Sequence, residues 1–168
     1  MSKPLDLPFD PIARAGDRWE REFGPSGAMK VATSIMRVQQ LLLARYDAVL
    51  RPYELTFARY EALVLFAFSR TGELPMRIVG ERLMVHPTSA THIVDRLVGQ
   101  GYVSRRRNPD DGRGVLAAIT DTGRGVVKEA TRDLMNDGFG LDALGPGESA
   151  AIFDALRTVR LAAGDFQT

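Results

Sequence analysis

A mainly α (α+β) fold is predicted by three observations. Apolar residues recur every three or four positions over most of the chain. Glycine and proline interrupt these stretches at helix-like lengths, and strand-like alternation is confined to one short region after Gly101. The first helix opens at Asp10-Pro11, an N-cap followed by a proline at the first helical position. It carries Ile12, Ala15, Trp19 and Phe23 on one side and ends at Gly24-Pro25. A long helix from roughly Gly27 to Leu50 aligns Val31, Ile35, Val38, Leu42 and Val49 and is broken by Arg51-Pro52. Thr56 is the expected N-cap of a third helix through Ala67, with Tyr60, Leu63, Val64 and Ala67 inward.

From Pro75 to Met84 a short helix places Met76, Val79 and Leu83 on one face and turns Arg77 and Glu81 to water. His86-Pro87 interrupts it, and a second helix starts near Pro87 because proline lacks only an N–H that the first turn leaves unpaired anyway. Ala90, Ile93, Val94 and Leu97 face inward, and Gly99-Gln100-Gly101 suits a left-handed C-cap. Two strand-like runs follow, Tyr102 to Arg107 and Val115 to Ile119, joined by Asn108-Pro109-Asp110-Asp111-Gly112-Arg113-Gly114, whose composition marks a turn. Asp121 or Thr122 is expected to cap the next helix, with Val126, Val127, Ala130 and Leu134 as its stripe. Pro146-Gly147-Glu148 opens the last, with Ile152, Phe153, Leu156 and Val159.

Two short helices, a tight turn and an Arg-rich two-stranded β wing stand in the order of a winged helix-turn-helix, and that order points to DNA. Thr88, Ser89, Thr91 and His92 form the outer face at the start of the second helix, where short donors and acceptors meet base edges in a major groove. Arg113 at the hairpin tip suits a narrow minor groove, and Asp111 lies close enough in sequence to orient it. Arg105, Arg106 and Arg107 alternate faces along a strand, so at most two address the same phosphate backbone; Arg106 and Arg107 are the DNA candidates. Arg77 is a candidate phosphate contact, whereas Asp95 and Arg96 read as internal ion-pair partners rather than base readers.

Val94-Asp95-Arg96-Leu97, Gly101-Tyr102-Val103 with Arg105, Asp111-Gly112-Arg113 and Thr120-Asp121-Thr122-Gly123 together resemble the MarR family of bacterial regulators. Gly114 departs from the pattern, since many relatives carry a second Arg or a Ser there. The resemblance implies a homodimer formed by N- and C-terminal dimerisation helices, and a transcriptional regulator of the repressor kind on a palindromic operator of double-stranded DNA. It also implies an effector pocket between the dimerising helices and the reading domain, open to a small aromatic or anionic effector. Trp19, Glu61 and Arg96 match a purine-binding subgroup, with Glu61 standing where that pattern has Asp; the competing role for Trp19 is a dimer anchor. Tyr46, Phe57, Tyr60 and Arg45 are further candidates for the pocket wall, against the ordinary role of such aromatics as core.

Composition bounds the alternatives. With 45% hydrophobic and 26% charged residues the chain can build a core. It contains no cysteine, which excludes disulfides, thiolate metal sites and thiol-based redox sensing. His86 and His92 do not share a helical face, no nucleophile elbow or phosphate-cradling loop is present, and Asp110 and Asp111 are adjacent turn residues. We therefore expect no enzyme activity, no metal and no cofactor. The formal net charge is +1, yet residues 75–115 hold seven Arg against four carboxylates, which leaves a basic face on a near-neutral body. No apolar run reaches the roughly 20 residues of a membrane span, and residues 1–10 lack a secretory pattern, so a cytoplasmic protein with no membrane partner is expected. The expected organisation is an N-terminal extension helix in residues 1–24, a dimerisation or scaffold helix in 25–55, the winged helix-turn-helix DNA-binding region in 56–120 and C-terminal dimerisation helices in 121–168.

Overall fold

Helix boundaries follow from residues that satisfy or forbid backbone hydrogen bonds. The computed structural model describes residues 6–109 and 114–167. Within them run α1 (Pro11–Glu22), α2 (Gly27–Leu50), α3 (Phe57–Phe68), β1 (Glu73–Pro75), α4 (Met76–Arg82) and α5 (Pro87–Gly99). β2 (Val103–Arg107), β3 (Val115–Ile119), α6 (Asp121–Asn136) and α7 (Pro146–Ala162) complete the order. Asp10 Oδ1 accepts from the Ile12 N–H at 2.8 Å and Pro11 follows it, as expected for a capped start.

Two caps differ from expectation. Thr56 precedes α3 but its side chain makes no capping bond. Asp47 of α2 supplies the oxygen instead, accepting from Phe57 N at 2.8 Å, because the turn after Leu50 folds α3 back against α2. At α6 the cap is Thr120 rather than Asp121 or Thr122. It is the last extended residue out of β3, so its hydroxyl can accept from Gly123 N at 3.0 Å while donating to Gly101 O at 2.8 Å. Gly123 is required there: a Cβ would lie 2.2 Å from the Tyr102 carbonyl oxygen.

The sheet has three antiparallel strands among the described residues, in the order β1-β3-β2, where a two-stranded wing was expected. The added strand pairs Leu74 with Ala117 and Pro75 with Leu116. At three residues ending in proline it is too short to show alternation, and its place at the sheet edge is the one a proline tolerates.

Leu50, Leu63, Phe66, Val79, Val94, Leu97 and Leu134 are fully buried and join α2, α3, α4, α5 and α6 around one core. Three phenols fasten α6 and the turn after it to that body. Tyr53 donates to Asp133 Oδ2 at 2.6 Å, Tyr60 bonds Thr131 at 2.8 Å, and Tyr46 donates to the Phe139 carbonyl at 2.9 Å. The long α2 divides in two. Its C-terminal half enters the core through Leu42, Tyr46, Val49 and Leu50, but Val31, Ile35 and Val38 stay exposed because none of the described residues covers the N-terminal half on that side. None of the residues of α7 is buried.

Candidate nucleic-acid interface

The geometry is built from the turn between α4 and α5. His86 is the N-cap of α5, its Nδ1 accepting from the Thr88 N–H at 3.3 Å, and Pro87 supplies the first helical φ. Ala90, Val94 and Leu97 are buried, so Thr88, Ser89, Thr91 and His92 emerge on the exposed side of the same helix. The Thr91 hydroxyl donates to the Pro87 carbonyl at 3.0 Å, which fixes its rotamer and leaves its oxygen able to accept. Gly101, at φ +74°, ends the helix as expected and turns the chain into β2.

Exposed arginines surround this face in three different states. Arg77 is 74% exposed and paired with Glu81 one turn on, at 2.5 Å. An exposed pair of this kind contributes under about 1 kcal/mol and is readily exchanged for a phosphate. Arg105 reaches back from β2 to the Asp95 carboxylate, clamping the wing to α5. Asp95 is thus an internal ion-pair partner, but Arg96 is not: its side chain is exposed and forms no ion pair among the described residues. Arg106 is held in a forked contact by Glu73, Nε to Oε2 at 3.0 Å and Nη2 to Oε1 at 2.6 Å, across the intervening β3. This ties the wing to β1 and weakens the case for Arg106 as a free phosphate ligand. Arg107 is exposed and has no ion pair among the described residues. Asn108 N donates to Gly114 O at 2.9 Å and closes the hairpin stem; Asp111 and Arg113 lie outside the described residues.

The expected effector trio is not assembled within one chain. Trp19 packs its ring 5.0 Å from Phe23 in a depression on α1 beside Arg14 and Arg18, whereas Glu61 lines a separate depression with Tyr60, Leu74 and Arg82. Arg96 lines neither. Desolvation pushes the Glu61 carboxyl above its ordinary value, although solvent still reaches the residue. The other candidate wall residues belong to the core and its edge. Tyr46 is buried with its ring 4.7 Å from Phe57, Phe57 stacks 6.0 Å from Tyr60, and Arg45 is gripped by Asp137 at 2.7 and 2.9 Å. No group of three or more His, Asp or Glu suited to a metal ion occurs among the described residues.

Two helices joined by a tight turn, an exposed polar start on the second, and a basic hairpin clamped to it define a winged helix-turn-helix. The family model described as MarR family matches residues 53–114. The crystal structure of Sco5413, a MarR family transcriptional regulator from Streptomyces coelicolor, is 60% identical with a TM-score of 0.79. That match covers 84% of this chain and 98% of that one. The chain belongs to the MarR family. Sco3205, a MarR family regulator of the same organism determined in complex with DNA, is 26% identical with a TM-score of 0.68, over 77% of this chain and 82% of that one. The HTH-type regulator TtmR of Methylorubrum extorquens (strain PA1) is 31% identical over 115 residues, 68% of this chain. This chain spans 57% of the length of TtmR and 60% of that of YhbI from Bacillus subtilis (strain 168), an uncharacterized HTH-type regulator 28% identical over 95 residues, 56% of this chain.

Proposed function

We propose that the protein is a homodimeric, sequence-specific DNA-binding regulator that represses transcription from a palindromic operator and performs no catalysis. The observation that carries this reading is the exposed set Thr88, Ser89, Thr91 and His92 on a helix whose opposite face is locked into the core, flanked by a basic wing. Such a helix presents donors, acceptors and a methyl group to a major groove, while Arg77, Arg107 and Arg113 neutralise phosphates or enter the adjoining minor groove. The exposed apolar residues of α7 and of the N-terminal half of α2 support self-association, with Ile12, Trp19, Ile152, Phe153 and Leu156 in the interface. Two recognition helices then sit about one DNA turn, roughly 34 Å, apart. Residues 1–24, 25–55 and 121–168 serve assembly and 56–120 reads DNA.

Selection of duplexes from a random pool tests this directly. We expect a two-fold symmetric consensus and an affinity that falls steeply with salt. Binding without sequence preference would mark a DNA-organising protein, and absence of salt-dependent binding would mark a module that no longer reads DNA. Relief of repression by a small aromatic or anionic effector is a further part of the proposal, in which a pocket holding Trp19, Glu61 and Arg96 forms only between two subunits. Thermal stabilisation of wild type but not Glu61→Gln by an aryl carboxylate or purine anion supports it; equal stabilisation of both proteins counts against it.

A further inference from the structure

The turn between α4 and α5 holds a methionine in a place unfavourable to it twice over. Met84 has φ +52°, the left-handed region in which a Cβ is strained and glycine is not. Its side chain is 81% exposed, so its apolar surface contributes little to the fold. The turn itself is well made, with Met84 N donating to Glu81 O at 3.2 Å and Val85 N to Gly80 O at 3.1 Å. Met84 also lines a shallow depression that runs from Arg77 and Glu81 on α4 to Pro87 and Thr91 on α5. It therefore lies between the candidate phosphate ligand and the first turns of the candidate reading helix.

We propose that Met84 is a specificity-determining DNA contact, its thioether covering the C5-methyl group of a thymine at the edge of each half-site. This rests on the reading of α5 as the recognition helix. Among base edges in the major groove only thymine offers a methyl group, and an unbranched, polarizable side chain can follow it without a demanding geometry. The contact also accounts for an exposed apolar side chain flanked by polar and charged groups on one face.

The test uses the full chain and the duplex it selects from a random pool, with each thymine in turn replaced by deoxyuridine. Wild type should lose about three- to fivefold in affinity at one symmetry-related pair of positions, the scale expected for one buried methyl group. Met84→Gly relaxes the backbone, so its unfolding temperature should not fall. It should bind the unmodified duplex about as weakly as wild type binds the substituted one, and be indifferent to deoxyuridine at that pair. Met84→Leu should restore the response. If wild type and Met84→Gly respond alike at every thymine, Met84 does not read a methyl group, although α5 still reads sequence. Should wild type select no duplex at all, the assignment of α5 fails and this proposal with it.

Discussion

The reading head and the helices that flank it solve the burial problem in opposite ways. In the head, α3, α5 and the sheet close over Leu63, Phe66, Val94 and Leu97, which leave no surface to water, and the exposed start of α5 and the wing are mostly polar or basic, with Phe68 and Met84 as isolated apolar exceptions. In the flanks, α1 is docked on α2 through a polar latch in which the buried Ser26 hydroxyl donates to Glu20 and Lys30 approaches the same carboxylate at 3.6 Å. Beyond it Phe23, Val31, Met36, Phe153 and Val159 stay exposed. A self-sufficient head beside unfinished flanks fits the proposal that the two regions answer to different partners. On that proposal the apolar surfaces take a second copy, and the polar helix face takes a groove that carries its own hydrogen-bonding pattern.

The sharpest way to break this contrast is to charge the flank. Phe153→Asp should give a monomer at micromolar concentration in sedimentation velocity, with the head still folded by circular dichroism. Operator affinity should fall on the order of a hundredfold or more, since only one half-site is then held. A dimer that survives the substitution would remove α7 from the interface.

Within the head, Thr91→Ala and His92→Ala should each cost about 1 to 3 kcal/mol on the selected operator and much less on random duplex, as measured by competition binding. Arg77→Ala should weaken both duplexes alike, because a phosphate contact carries no direct sequence information. Equal losses on both DNAs for the α5 variants would shift specificity to duplex shape.

A smaller effect separates the wing arginines. Arg107→Ala or Arg113→Ala should lower the slope of log affinity against log salt by about one, whereas Arg106→Ala should change it less because Glu73 already neutralises that guanidinium. A full unit lost with Arg106→Ala would mean that the Glu73 pair opens on DNA.

The smallest concerns Glu61. Its pKa is raised in the fold, so the folded state holds the proton more tightly than the unfolded chain. That contribution is fully present below the ordinary value near 4.5 and is lost as pH rises through the folded value. Glu61→Gln should therefore unfold at a higher temperature than wild type near neutral pH, with the gap closing below pH 4.5. An unchanged gap across that range would separate the effect from titration.

How far the sequence carried depended on whether a feature is local. Helix starts at Asp10-Pro11, Pro87 and Pro146 were legible because proline and capping oxygens act within one turn. The exposed face of α5 was legible because helical periodicity separates Thr91 and His92 from Val94 and Leu97. What escaped depends on chain segments that meet only after folding. Strand β1 exists by virtue of β3, some 40 residues on. Asp47 caps a helix ten positions away, and Glu73 takes Arg106 from across the sheet. The exposure of Val31, Ile35 and Val38 was equally hidden, since a helical stripe reveals that it needs a cover but not whether its own chain provides one.

The three phenols that fasten α6 and its following turn have a mechanical consequence. They rivet α6 and the turn after it directly to the head through bonds of 2.6 to 2.9 Å, adding to the burial of Val127, Ala130 and Leu134, so α6 moves with the head as one body. In the proposed dimer, each leg of the pair would be stiff as far as the end of α6. A proposed operator lengthened by a single base pair, about 3.4 Å, would then have to be met by movement between α6 and α7 rather than within the head.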